Sequence, residues 1–231
     1  MKKLVSSLLA CTVVACSLFS CGSSSSDDKN ESTKKTPKKE KSAADVLLGK
    51  WQMDGIESTG VDGGGILFAE GGKGGIYEDT SSLLHFVEDG LNVGGTTIST
   101  QFFTEDGDNL TIDVSGQKML DMTKIEAKDG YDGKYSLTGG ILYDSIVSGL
   151  ADRGLDENKK LDINISFDGE NSEVVFNDLF SYKVDGSKLV VSGFAGFLDS
   201  DAEEVKADFT VEGDKLTLKD GDKDTVLTKV K

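Results

Sequence analysis

The sequence predicts an all-β protein: an antiparallel meander in two duplicated units, each small enough to curl into a β-barrel, following a signal peptide and a disordered tether. Three observations carry this. Apolar and polar residues alternate over short runs, as in Leu161, Ile163, Ile165 and Phe167 set against Asp162, Asn164 and Ser166, which is the period of a half-buried strand. Acidic-Gly turns recur at short spacing, among them Asp129-Gly130, Asp132-Gly133, Asp168-Gly169, Asp185-Gly186 and Asp220-Gly221, where Gly takes positive φ cheaply and Asp tolerates it. Several motifs occur twice in the same order. The composition narrows the rest: 231 residues with 41 acids, 25 bases and one His give a formal net charge of -16. A chain of that sign does not bind nucleic acid through a general positive field.

Residues 1–20 read as a signal peptide. Lys2 and Lys3 precede an uncharged stretch, Leu4 to Phe19, too short for a comfortable membrane span. It ends Leu18-Phe19-Ser20-Cys21-Gly22. A small residue before Cys, with an aliphatic residue three positions before it, is similar to the bacterial lipobox. That resemblance implies a mature chain beginning at Cys21 with lipid on its sulfur, held at the cell membrane and facing away from the cytoplasm. The other reading is an ordinary signal peptide cut elsewhere. Cys11 and Cys16 fall inside the signal and no Cys follows Cys21, so the mature chain is expected to hold together by packing without a disulfide.

Residues 21–45 read as the lipidated Cys and a tether. Between Gly22 and Ala43 there is no aliphatic or aromatic residue, so nothing repays the entropy of ordering. Extended, such a segment reaches about 80 Å; as a coil, about 25–30 Å. Residues 22–41 hold six Lys and four acids, whereas residues 46–231 hold 36 acids and 17 bases. The acidity belongs to the folded body.

The body divides on this reading into a first unit, 46–128, and a second, 129–231. The first opens Gly49-Lys50-Trp51, runs through a Gly-rich stretch from Gly63 to Gly75 expected to be loop or irregular edge, and continues through the turns Glu88-Asp89-Gly90 and Glu105-Asp106-Gly107. In the second, Ile141 to Leu150 has apolar residues at partly helical spacing and predicts a short helix. Phe180, Tyr182 and Val184 then share one strand face. A strand with one apolar face implies antiparallel pairing.

The repeat is explicit. Gly49-Lys50-Trp51 matches Gly133-Lys134-Tyr135; Phe103-Thr104 with Leu110-Thr111-Ile112 matches Phe209-Thr210 with Leu216-Thr217-Leu218; Met122-Thr123-Lys124-Ile125 matches Leu227-Thr228-Lys229-Val230. The Gly-x-Trp opening coupled to a meander resembles the lipocalin-like domains of bacterial lipoproteins. The resemblance implies two small barrels, with Trp51 and Tyr135 each closing one end. The neighbouring arrangement is one continuous sheet or barrel shared by both halves.

Candidate chemistry is sparse. His85 alternates with Leu84 and Phe86 and reads as a hydrogen-bonded structural or surface residue. No Cys-His or multi-His metal spacing, phosphate loop, nucleophile elbow or dinucleotide fingerprint occurs, so no cofactor, metal or catalytic residue is assigned. Asp220, Asp222 and Asp224 alternate as in a calcium loop, but Thr225 and Lys231 stand where Gly and Glu are needed. Phe180, Tyr182, Phe194 and Phe197 are either core of the second unit or the apolar mouth of a ligand site. The functional expectation is a non-enzymatic, monomeric, lipid-anchored module that binds a small apolar or amphipathic ligand. The alternative is a structural or protein-interaction module of the envelope with a filled interior.

Overall fold

The structure is a computed structural model and describes residues 43–53, 63–152, 155–156, 159–193, 204–220 and 223–231. A one-turn helix α1 (Ala43–Leu47) leads into β1 (Gly49–Met53), β2 (Gly63–Ala69) and β3 (Lys73–Asp79). Three short strands follow, β4 (Leu84–Val87), β5 (Gly90–Val93) and β6 (Thr96–Ser99). Next come β7 (Phe103–Asp106), β8 (Asn109–Val114), β9 (Gln117–Ala127) and β10 (Gly133–Gly139). Helix α2 (Ile141–Ala151) precedes β11 (Asp162–Asp168), β12 (Asn171–Asp185) and β13 (Lys188–Gly193). The chain ends with β14 (Glu204–Glu212), β15 (Lys215–Asp220) and β16 (Lys223–Lys229). The expected short helix is α2, which rests on β9 and β10 and buries Ile146 and Leu150.

The pair of small barrels is not what forms. Thirteen strands make one antiparallel sheet in the order β13-β14-β15-β16-β1-β2-β3-β12-β11-β10-β9-β8-β7, with β4-β5-β6 as a separate three-stranded sheet. The thirteen strands as a set do not close into a barrel: among the described residues β7 has only β8 beside it. At the other end β13 turns back onto β12. The fifteen-residue β12 makes this possible: it bonds β11 over Asn171–Asn177 and β13 over Phe180–Asp185, while β3 lies along its other side. The switch falls at a register shift between Phe176 and Phe180, where Asp178 takes φ 52°, the local bend that a bulge provides.

The division at residue 128 also fails as a boundary between barrels, and the repeat explains why. The matched motifs occupy matched ladder positions, Trp51 opposite Lys229 and Tyr135 opposite Lys124, Leu216 opposite Leu227 and Leu110 opposite Met122. Yet β1, the opening strand of the first copy, pairs with β16, the closing strand of the second, while β10 pairs with β9. Each copy's opening strand is completed by the other copy's closing strand, and β3 against β12 joins the two sets. The lipocalin resemblance therefore ends with the Gly-x-Trp start.

The Gly-rich stretch is another correction. Instead of loop or edge, β2 and β3 form a hairpin in the middle of the sheet. Glycine serves close approach there: a Cβ on Gly75 would lie 2.0 Å from the Phe176 carbonyl oxygen, and one on Gly74 would lie 2.0 Å from the Phe180 ring. Neighbouring strands and a facing ring fill the space that side chains would need.

One apolar cluster backs both halves. Trp51, Phe68, Tyr135, Phe167 and Phe180 are its largest fully buried side chains. Phe68 meets Phe180 and Tyr182 edge-on at 6.2 and 4.9 Å, and Phe167 meets Tyr135 at 5.8 Å, geometries that the ring quadrupole favours. The free edge β7 carries exposed Thr104, Glu105 and Asp106, charges that discourage another strand from adding there.

Candidate functional site

Residues opposite one another on paired strands point to the same side of a sheet. The row Gln52, Gly65, Tyr77, Val175, Asn164 and Ser136 therefore shares one face across β1, β2, β3, β12, β11 and β10. Along each strand its members alternate with core residues such as Trp51, Ile66, Phe176 and Ile165, so this is the face opposite the core. A pocket of about 320 Å³ opens on it. Its lining combines Gln52, Gly63, Gly64, Tyr77, Asp79 and Ser81 from the first half with Ser166, Asp168, Asn171, Ser172, Glu173 and Val230 from the second.

Tyr77 anchors the pocket. Only 5% of it is exposed, and its hydroxyl has no hydrogen-bond partner among the described residues. Burial first, and then the Glu173 carboxylate, push its pKa up to about 12, because both disfavour the phenolate. Lys50 pairs with Glu173 and sets its ammonium 5.1 Å from the Tyr77 ring centroid. Asp79 is oriented by Ser81, whose backbone N–H and hydroxyl donate to Oδ1 at 3.1 and 2.5 Å. The Ser81 hydroxyl in turn accepts from the Ser172 backbone N–H at 3.0 Å, which ties the β3 end to β12. Asp168 accepts from Lys128 at 3.0 Å. The wall is thus rich in fixed acceptors, and of its two deeply buried hydroxyls that of Ser172 bonds the Thr80 hydroxyl at 2.8 Å while that of Tyr77 has no partner among the described residues. Asn164 Oδ1, in the same row, is likewise buried without a partner among the described residues.

The residues singled out from sequence lie elsewhere. Trp51 and Tyr135 are core residues of one sheet and have no separate barrels to close. Trp51 Nε1 donates to the Leu47 carbonyl at 2.5 Å, and the Tyr135 hydroxyl to the Tyr131 carbonyl at 2.8 Å. Each ring carries a Lys from the paired closing strand, Lys229 at 5.0 Å and Lys124 at 5.3 Å. Phe180 and Tyr182 are buried in the same cluster, with the Tyr182 hydroxyl donating to the Ala69 carbonyl at 3.0 Å. Phe194, Phe197, Asp222 and Cys21 lie outside the described residues. Backbone pairing places Asp220 opposite Lys223, and Asp224 pairs with Lys219 at 3.4 Å. His85 Nδ1 lies 2.7 Å from the Ser81 carbonyl oxygen, so that nitrogen carries the proton. Among the described residues no three His, Cys, Asp or Glu side chains gather to hold a metal ion, and no helix is long and apolar enough to cross a membrane.

Sequence reasoning missed Tyr77, Gln52, Asp79 and Glu173. A signal was present in Gly63-Gly64-Gly65, since consecutive glycines in a strand mark a place where something approaches the backbone closely. Comparison with known proteins finds no family model that matches this chain, and no curated protein or solved structure that matches it significantly.

Proposed function

We infer that this chain is a lipid-anchored extracytoplasmic module, held at the membrane through Cys21, that works by binding at the surface of its sheet and not by catalysis. The observation that carries the binding half is the contrast between the two faces. The core face is packed by its own aromatic side chains, while the opposite face opens a polar pocket. That contrast favours a polar partner at the surface over an apolar ligand inside the fold. The anchoring half rests on the Leu18-Phe19-Ser20-Cys21 sequence and the polar segment that follows it. Two acyl chains hold a protein at a bilayer where one does not. Metabolic labelling with an alkyne fatty acid, followed by membrane fractionation of the producing bacterium, tests the anchor. The wild-type chain takes up label and sediments with membranes, and Cys21→Ser does neither. An unlabelled wild-type chain, or equal labelling of Cys21→Ser, overturns the reading.

A further inference from the structure

We propose that the pocket over Tyr77 binds a neutral carbohydrate, with the Tyr77 hydroxyl donating to one sugar oxygen and the Asp79 carboxylate accepting from a sugar hydroxyl. The proposal rests on the surface-binding part of the reading above and is independent of the anchor.

Three observations lead there. The first is the Tyr77 hydroxyl, buried at 5% exposure, at the pocket wall and without a partner among the described residues. Buried polar atoms are almost always bonded, so one that is not calls for a partner from outside. The second is the bare floor. In the register, Gly65 faces Tyr77 and Gly63 faces Asp79, so the β2 side of the pocket presents backbone in place of side chains. A Cβ on Gly64 would lie 2.9 Å from the Tyr77 carbonyl oxygen, and one on Gly63 would lie 3.5 Å from Gln52 Nε2. Gly63 has room for a Cβ, so its bareness leaves this space open at a cost in strand stability, whereas Gly65 is held bare by the Trp51 carbonyl oxygen, 2.0 Å from where its Cβ would stand.

The third is the chemistry of the wall. Asp79, Asp168 and Glu173 bring acceptors, Gln52 and Asn171 bring amides, and Tyr77 brings a donor. An anion would face three carboxylates. An ammonium has donors only and leaves the Tyr77 O–H unsatisfied. A hydroxyl both donates and accepts, so a ring bearing several of them answers both requirements at once. The ion pairs to Lys50 and Lys128 partly neutralise the carboxylates and suit an uncharged ligand. Lys50 already occupies one face of the Tyr77 ring, so the ligand is held by hydrogen bonds and not by stacking on that face. The volume, about 320 Å³, is at the small end of the range of roughly 300–1,000 Å³ for ligand pockets. It suits one or two sugar rings.

The test uses the full-length chain in a zwitterionic detergent, because a glycosidic detergent would itself compete. Saturation-transfer NMR is run against glucose, galactose, mannose, N-acetylglucosamine and the disaccharides cellobiose and chitobiose. At least one saccharide receives transfer from the protein. Its affinity falls roughly tenfold in Tyr77→Phe, the size of one lost hydrogen bond to a buried donor, and falls also in Gln52→Ala at the exposed rim. It is unchanged in Tyr131→Phe, whose hydroxyl bonds Glu105 away from the pocket. The proposal is overturned by transfer to none of the six, by binding that Tyr77→Phe leaves intact, or by equal displacement with spermidine, which would make the site a cation site. A crystal soaked in the saccharides that shows ordered water alone on Tyr77 also overturns it. Cys21→Ser alters fractionation without altering transfer, so failure of the anchor and failure of this site are read separately.

Discussion

Replacing Tyr77 by Phe should make the protein more stable, which is unusual for a change at a buried residue. The substitution removes one oxygen and keeps the ring beneath Lys50. Because the hydroxyl has no partner among the described residues, no hydrogen bond is lost, and the desolvation penalty of a buried polar group, about 1–3 kcal/mol, is relieved. Taking about 1–2 kcal/mol as the gain, the melting temperature should rise by roughly 3–6 °C for a domain of this size. The pH dependence sharpens the test. Tyr77 and Tyr135 are both raised to about 12 from an ordinary 10.0. Each is protonated in the folded state after it would have ionised in the unfolded chain. Stability from these groups is therefore complete below about pH 10 and is lost as the pH climbs through about 12. The loss is about 3 kcal/mol at most per residue, at roughly 1.4 kcal/mol per unit. Tyr77→Phe deletes one of the two groups, so its advantage over the wild type should widen between pH 10 and 12. Urea melts followed by tryptophan fluorescence of Trp51 at pH 7, 10 and 11 measure both effects. A variant less stable than the wild type at pH 7 by about 1 kcal/mol would refute the reasoning. It would mean that the hydroxyl is already satisfied in the free protein and that the pocket needs no ligand to complete it.

Two further outcomes test the architecture. Expressed alone, residues 43–128 and 129–231 should each fail to show a cooperative melt by circular dichroism, since the β1–β16 and β3–β12 ladders join them; two independent two-state transitions would restore separate domains. Gly75→Ala should cost about 3 kcal/mol or prevent folding, because its Cβ meets the Phe176 backbone oxygen and not a side chain that could move; a chemical-denaturation midpoint unchanged from the wild type would show that the β3–β12 seam is looser than it looks.

The parts of the fold legible in the sequence are those fixed by neighbours along the chain. Gly130, Gly169, Gly186 and Gly213 take positive φ at the acidic-Gly turns. The alternation of Leu161 to Phe167 becomes β11, and the partly helical spacing becomes α2. His85 alternates with buried Leu84 and Phe86 as expected. What was not legible depends on partners far away in sequence. The glycines of β2 and β3 carry no β propensity of their own, and only the carbonyls and rings packed against them explain their place mid-sheet. Tyr77 lies on the face opposite the core, which a one-sided pattern would leave wet. It is buried because Lys50 reaches over it from β1 and Glu173 flanks it from β12.

The merging of the repeats has an energetic reason that the repeated motifs themselves hide. The aromatic strand and the closing Thr-Lys strand have the same chemistry in both copies, so β9 can pair with β1 or with β10. Pairing with β10 closes the five residues 128–132, whereas pairing with β1 closes the 63 residues 54–116. Loop closure favours the shorter connection by about 2 kcal/mol. With β9 taken, β1 is left with a free edge, and β16, which has the same motif, supplies the partner. The pocket follows from that choice. Gln52, Tyr77 and Asp79 come from the first copy, and Ser166, Glu173 and Val230 from the second. Val230 is in place because its backbone N–H donates to the Lys50 carbonyl at 2.9 Å, continuing the β1–β16 pairing. Two separate barrels would have divided these residues between two bodies. The site exists because the copies share one sheet, so any variant that separates the halves should lose saccharide binding together with the cooperative melt.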